Sequence, residues 1–295
     1  MRHDIFFFFC KDLLENEKLK PESKDAKEEK DIMTQSVFDM PDQWSKLESA
    51  IKKMAKTVKG LGFSDSTISS YNALVPLVYI YCAPQKAPKD DNIIRKYLYI
   101  SFLKKVFASS SDTVLNDIHK TLKDNNLAQL LKQNPRFEVD EGDLLDILEL
   151  EKGRLTKIAL HLLYAKGQES FDDDHMHPKA TIKNYDSYVE AIEEELADKN
   201  NIKFFKNKDC NRLLTKKTWK EIRKKCNRLP NLQPLWPRDN KKKLTTPLAK
   251  CGWKPFKSAQ NFLSEGTSLL LSNFEDFFEE RREKMKKELK RLINP

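Results

Sequence analysis

The chain has 295 residues, long enough for two domains and a substantial core. Charged residues make up 34% against 39% hydrophobic ones, with a net charge of +9, a balance that predicts a helix-rich soluble protein. The five cysteines (Cys10, Cys82, Cys210, Cys226, Cys251) are odd in number and form no Cys-x-x-Cys pair, which argues against a disulfide framework and a zinc knuckle and for a reducing cytoplasm.

Ile5-Phe6-Phe7-Phe8-Phe9-Cys10 is apolar but far too short to span a bilayer, and Lys11-Asp12 follows where a signal peptide would need a small-residue cleavage site. The run is expected to be a strand or helix start that packs against something. Glu15 to Asp31 is almost wholly charged and contains Pro21, so it cannot bury enough surface to order itself. Residues 1–36 thus read as an apolar segment and a flexible linker. Next, Trp44, Leu47, Ile51, Met54 and Val58 recur at spacings of three and four, in a helix that Asp42 caps and Gly60 and Gly62 end. Tyr71 to Ile80 is an apolar run broken by Pro76 and reads as a buried, kinked helix. Asp91 to Phe107 is a thickly apolar helix, and further helices are expected at about Asp112 to Lys123, Leu127 to Lys132, Asp143 to Leu150 and Leu155 to Lys166. Residues 37–166 therefore read as a helical bundle domain.

Helical periodicity stops after Gly167, and Ser170 to Ile182 is expected to form a strand and a turn. Tyr185 to Lys199 is an amphipathic helix with an acidic face (Glu190, Glu193, Glu194, Glu195), inserted before a second strand at Leu232 to Leu235. Ile202 to Phe205 and Leu213 to Lys225 lead into that strand. A short helix should begin near Arg238 to Lys241, with Trp236 and Trp253 packed beside it. Phe274 to Ile293 closes the chain as a structural helix, with Phe274, Phe277, Phe278, Met285, Leu289 and Leu292 near one face. The expected fold class is mainly α with a small α+β unit: a helical bundle, then a ββα unit over residues 167–258, then a C-terminal helix over 259–295. Between Arg212 and Lys257 fifteen basic residues stand against Glu221 and Asp239, a local charge of +13. Such a concentration fits contact with a phosphate backbone, with Lys224, Lys225, Arg238, Lys241 and Lys242 as the candidate DNA contacts.

Two stretches carry the candidate chemistry. In Phe171-Asp172-Asp173-Asp174-His175-Met176-His177-Pro178, Asp174 offers a metal ligand and His175 a general base that titrates near neutral pH. In the second, Asn231 either orients His175 or braces the turn between strands, and Asn240 offers a second hard oxygen for magnesium or manganese. Lys243 is expected to help hold the scissile phosphate. His177 has three open roles, at the metal, beside His175 or on phosphate, and a structural hydrogen bond is as good a reading. The bland readings are an acidic surface loop for Asp172-Asp173-Asp174, a turn residue for Asn231, a helix N-cap for Asn240 and solvated lysines for Lys241 to Lys243.

In order, Asp174-His175-Met176-His177-Pro178, Asn231-Leu232-Gln233-Pro234-Leu235 and Asn240-Lys241-Lys242-Lys243 resemble the three segments of the HNH, or ββα-metal, nucleases. The second His before the Pro, with the preceding Gly62-Phe63, Tyr71-Asn72, Arg95-Lys96-Tyr97-Leu98 and Phe102-Leu103, is similar to the nuclease half of the GmrSD-like, modification-dependent restriction endonucleases. The resemblance implies a magnesium- or manganese-dependent endonuclease that leaves 5′-phosphate and 3′-hydroxyl ends and serves bacterial defence. That family's ParB-like nucleotide-hydrolysing domain carries an Asp-Gly-Gln-Gln-Arg motif, which this sequence lacks. The resemblance therefore implies the carboxyl-terminal half of the architecture, with a ParB-like domain on a separate chain as a candidate partner and no membrane involved. The competing expectations are a non-catalytic DNA-binding subunit and a fragment that needs a missing domain to fold.

Overall fold

A computed structural model describes residues 41–83, 87–88, 90–108, 111–164, 171–205, 209–243, 245–250 and 261–293. The apolar run at residues 5–10, the charged linker and Trp253 lie outside the described residues. The described residues are mostly helical, with one small two-stranded antiparallel sheet among them. It divides into two units, residues 1–138 and 139–295.

The first unit contains α1 (Pro41–Gly60), a 3-10 turn (Tyr71–Leu74), α2 (Val75–Cys82), α3 (Asp91–Leu103), α4 (Ser111–Asp124) and α5 (Leu127–Gln133). Residues Val75 to Tyr81 are all buried, so α2 has no polar face to show a helical period. Pro76 sits in its first turn, where a missing N–H costs no intrahelical bond, so Pro76 starts this helix instead of kinking it. The buried hydroxyl of Tyr97 on α3 donates to the Ala73 carbonyl at 2.9 Å, which ties α3 to the 3-10 turn. A reciprocal pair of bonds between Asn126 and Gln129, each 3.0 Å, caps α5. Trp44, expected on the packed face of α1, is 61% exposed; it lies in the first turn, while Ala50 and Val58 further along are buried.

The second unit contains α6 (Glu141–Leu148), α7 (Arg154–Tyr164), β1 (Asp172–His175), a 3-10 turn (Lys179–Ile182), α8 (Tyr185–Ala197), α9 (Cys210–Leu213), α10 (Lys216–Cys226), β2 (Leu232–Leu235), α11 (Pro237–Lys243) and α12 (Phe274–Ile293). The bundle expected over residues 37–166 is thus shared out: α6 and α7 fall within the second unit. Its core is built on α12. Phe274, Phe277 and Phe278 meet Tyr188 and Ile192 of α8, Ile222 and Cys226 of α10, and Met176 and Ile182. Glu195 of α8 accepts the backbone N–H groups of Leu271 (2.7 Å) and Ser272 (2.9 Å), just before α12 begins. These are donors that a helix start leaves open, and a carboxylate there also meets the positive end of the helix dipole.

Where one inserted helix was expected between the strands, the chain forms α8, α9 and α10. The break between α9 and α10 falls at Thr215, whose hydroxyl accepts the Thr218 N–H at 3.2 Å and opens α10. Among the described residues no helix is long and apolar enough to cross a membrane.

Candidate active site

The antiparallel register pairs Asp172 with Leu235, Asp173 with Pro234, Asp174 with Gln233 and His175 with Leu232. Side chains alternate along a strand, so Asp172 and Asp174 share one face of the hairpin while Asp173 and His175 share the other. α11 follows β2 after a single residue and returns to the aspartate face. Asn240 Nδ2 donates to Asp172 Oδ2 at 3.1 Å, and Lys243, one turn further on, reaches Asp174 Oδ2 at 2.6 Å. Gln233 Nε2 also donates to Asp174 Oδ2, at 3.0 Å, across the strand pair.

Lys243, expected at the scissile phosphate, is instead turned inward and 1% exposed. Its ammonium neutralises Asp174 and also donates to the His175 carbonyl. An ammonium at this depth needs a counter-charge, and Asp174 supplies it. Asn240 is not a helix N-cap: α11 begins at Pro237, and the Asn240 N–H already bonds the Trp236 carbonyl at 2.8 Å. Trp236, expected to pack beside this helix, is 43% exposed.

On the other face, His175 Nε2 lies 2.9 Å from Asn227 Oδ1. With that carbonyl accepting, Nε2 carries the proton and Nδ1 keeps a free lone pair. Burial holds the imidazole below its ordinary pKa. Lys152 and Lys179 push the same way, and the Asn227 bond and Asp174 push back. Asn227 is fixed in turn, because its carbonyl accepts the Lys152 N–H at 2.9 Å and Glu151 bridges Arg228 beside it.

Asn231 holds the loops behind the site. It is fully buried, its Oδ1 accepts the His177 N–H at 3.0 Å, and its Nδ2 donates to the carbonyls of Cys226 (2.8 Å) and His177 (3.2 Å). Its own carbonyl accepts the Met176 N–H at 2.8 Å. Of its two expected roles, bracing is the one these bonds perform, and Asn227 is the residue bonded to the His175 ring.

His177 is 2% exposed and meets Phe277 and Phe274 edge to face, at 4.6 and 5.3 Å between ring centroids. Its Nε2 has no hydrogen-bond partner among the described residues. Burial, with Lys243 and Arg281 nearby, pushes its pKa down to about 3, so the ring is neutral. Buried under α12, it is placed for packing, not for contact with phosphate. Arg281 of α12 is fully buried and binds the far side of the hairpin. It donates to the carbonyls of Pro230, Leu232 (3.1 Å) and Asn261 (3.0 Å) and to the Tyr164 hydroxyl (2.9 Å), thereby gripping both neighbours of Asn231.

Of the basic residues expected to meet DNA, Arg238, Lys241 and Lys224 are exposed. Lys225 is committed elsewhere: it bonds Glu279 at 3.0 Å and Glu275 at 2.5 Å and lies over the Phe278 ring, locking α10 to α12. The Lys242 side chain lies outside the described residues.

Sequence reasoning passed over Asp172, Asn227, Gln233 and Arg281. For Asp172 a signal existed, since its i, i+2 spacing to Asp174 puts both on one face of any strand. The donor chemistry suits a hard divalent ion: Asp172 and Asp174 carboxylates beside the Asn240 carboxamide, with both bonds to Asp174 landing on the same oxygen. Among the described residues no group of three His, Cys, Asp or Glu side chains gathers at metal-binding spacing. The candidate set counts a carboxamide as its third donor. No family model matches the sequence and no curated protein matches it.

Proposed function

We propose that the second unit is a metal-dependent nuclease of the HNH, ββα-metal kind, hydrolysing phosphodiesters of DNA. The observation that carries this reading is the strand β1 itself. It places Asp174, beside Lys243 of α11 and near the Asp172–Asn240 bond, directly before His175, whose Nε2 is bonded to Asn227, so that candidate metal ligand and candidate base are adjacent residues. Asp172, Asp174 and Asn240 would hold magnesium or manganese, which would supply positive charge to the phosphate.

The chain's own residues account for the proton and the positioning. A water proton passes to His175 Nδ1, the lone pair left free by the Asn227 bond. The water oxygen forms the new bond to phosphorus as the bond to the 3′ oxygen breaks, and that oxygen takes a proton from solvent, which gives 5′-phosphate and 3′-hydroxyl ends. Burial keeps the imidazole unprotonated at neutral pH, as a base must be. Asn231 and Arg281 hold the loop from which both strands are hung, so the base keeps its distance from the carboxylates.

A second reading has its own observation. The Lys243 ammonium already neutralises Asp174, so the unit is electrostatically complete without a divalent ion and would serve as a DNA-binding module that does not cut, alone or beside a nucleotide-hydrolysing partner chain. Nicking of supercoiled plasmid, plain and cytosine-modified, separates the two. The nuclease reading expects nicking with magnesium or manganese, none with EDTA, and a loss of about 10²–10⁴-fold in His175→Ala. Salt-sensitive binding with no nicking under any metal would favour the binding module. Equal nicking by both proteins would remove His175 from the chemistry.

A further inference from the structure

Beside Asn227, the partner of the His175 ring, opens a cleft of about 260 Å³ lined by Lys179, Lys183, Arg223 and Lys224. Lys179 and Lys183 belong to the turn after β1, and Arg223 and Lys224 to the last turn of α10. All four are exposed, and none has a carboxylate partner among the described residues. The one acid of the lining, Glu151, lies 3.7 Å from the Arg228 guanidinium. The cleft is therefore a cluster of four uncompensated cations around the residue that holds the candidate base.

The cluster continues outward. At 100° per residue, Lys216, Lys217, Lys220, Arg223, Lys224 and Asn227 fall on one stripe of α10, opposite the buried Ile222 and Cys226. From Lys217 to Asn227 the stripe runs roughly 15 Å at the helical rise, about four nucleotides of one duplex strand. Two features mark it as built for an anion. Lys216 and Lys217 stand in the first turn of a helix, where cations oppose the dipole, and nothing acidic in that turn offsets them. The Arg223 guanidinium lies over the Trp219 ring, 5.2 Å from its centroid, a cation–π contact that favours one placement of the group.

From this juxtaposition we infer that the backbone of a nucleic-acid strand lies along the exposed stripe of α10, and that Lys179, Lys183, Arg223 and Lys224 take the phosphates next to the bond cleaved at His175. The inference rests on the nuclease reading for the cleaved bond at His175; the binding stands on the cations. Of the expected DNA contacts it keeps Lys224 on the path and leaves Arg238 and Lys241 of α11 off it.

The test is fluorescence anisotropy of a labelled mixed-sequence oligonucleotide, single-stranded and duplex, with the full chain in EDTA over a series of salt concentrations. The proteins are the wild type, the fourfold variant Lys179→Gln, Lys183→Gln, Arg223→Gln, Lys224→Gln, and a control with Lys56→Gln and Lys59→Gln on α1. Matched circular dichroism and thermal midpoints establish that each is folded. The fourfold variant should bind at least tenfold more weakly at 0.1 M salt, and its log–log salt slope should flatten by roughly 3, at about 0.7–0.9 for each phosphate no longer neutralised. The control should bind as the wild type does. An unchanged slope in the fourfold variant, or an equal loss in the control, overturns the inference. So does displacement by a polyglutamate of matched length as efficient as by unlabelled oligonucleotide, which would assign the stripe to an acidic protein. If the wild type nicks plasmid and the fourfold variant nicks it as fast, the nuclease stands and the cleft falls. If nothing nicks but the slope still flattens, the cleft stands and the nuclease falls.

Discussion

His177 and Lys243 both sit inside the second unit, and each makes its stability depend on charge in a way that can be measured. The folded pKa of His177 is near 3, below the unfolded imidazole's ordinary 6.5, because burial against Phe274 and Phe277 and the cations Lys243 and Arg281 disfavour its charged form. Below pH 6.5 the unfolded chain takes up a proton that the folded chain refuses. Stability present above that pH is therefore lost progressively down to about pH 3, by on the order of several kcal/mol. Urea unfolding of the wild type and His177→Leu across pH 7 to 4 should show a flatter pH dependence in the variant. Parallel curves would contradict it. Lys243→Met leaves the Asp174 carboxylate without its counter-charge at the same depth, and should cost about 3 kcal/mol. Adding Asp174→Asn should relieve much of that loss in thermal unfolding, since the orphaned charge is removed; a loss that the double variant keeps in full would contradict the pairing.

The same residues mark where sequence stops being informative. Asp174, His175, Asn231 and Asn240 stand out because they fall in short motif segments at or beside the two strands. Which of them touch is set by the strand register and by α11 turning back on the hairpin, and neither is local. Asn227 lies outside every motif segment and became a partner of His175 only because Lys152 and Arg228 pin the loop around it. Arg281 lies in a helix whose charged residues read as a solvated face, yet it is i+4 from Phe277 and points with it into the core.

At the scale of elements, α2 was legible as a buried helix from its unbroken apolar run, whereas the caps of α5 and α6 were passed over although their signal is local. Asn126 and Asp140 each precede a side chain three residues on that returns the bond, a pattern confined to four residues. α2 has no amphipathic stripe, so Pro76 looked like an interruption when it is a helix start. The start of α12 depends on a side chain far away in sequence. Glu195→Ala removes the acceptor of two backbone N–H groups there, and should cost about 2 kcal/mol in denaturant unfolding, with Glu195→Gln, which keeps an acceptor oxygen, falling in between. Equal losses in the two variants would point to packing in place of the bonds. α12 carries both Arg281 and the rings around His177, so loosening its start should also weaken the hairpin.

Taken whole, the chain concentrates its chemistry in residues 139–295. The basic stretch from Arg212 to Lys257, the hairpin and its supporting helix all belong to that unit, and the first unit supplies none of the candidate site. The excess of +13 in that stretch is divided by the fold into different tasks: Lys225 and Lys243 are consumed as internal counter-charges, while Arg223 and Lys224 stay open to a ligand. Charge counted along the sequence could not make that division. The central claim is that His175 takes a proton from water during cleavage. It is tested most directly by the nicking rate of His175→Gly in magnesium, with and without added imidazole. A folded variant whose rate falls at least a hundredfold and recovers in proportion to free imidazole is the predicted result. A rate equal to the wild type's, or a loss that imidazole leaves untouched, would contradict it.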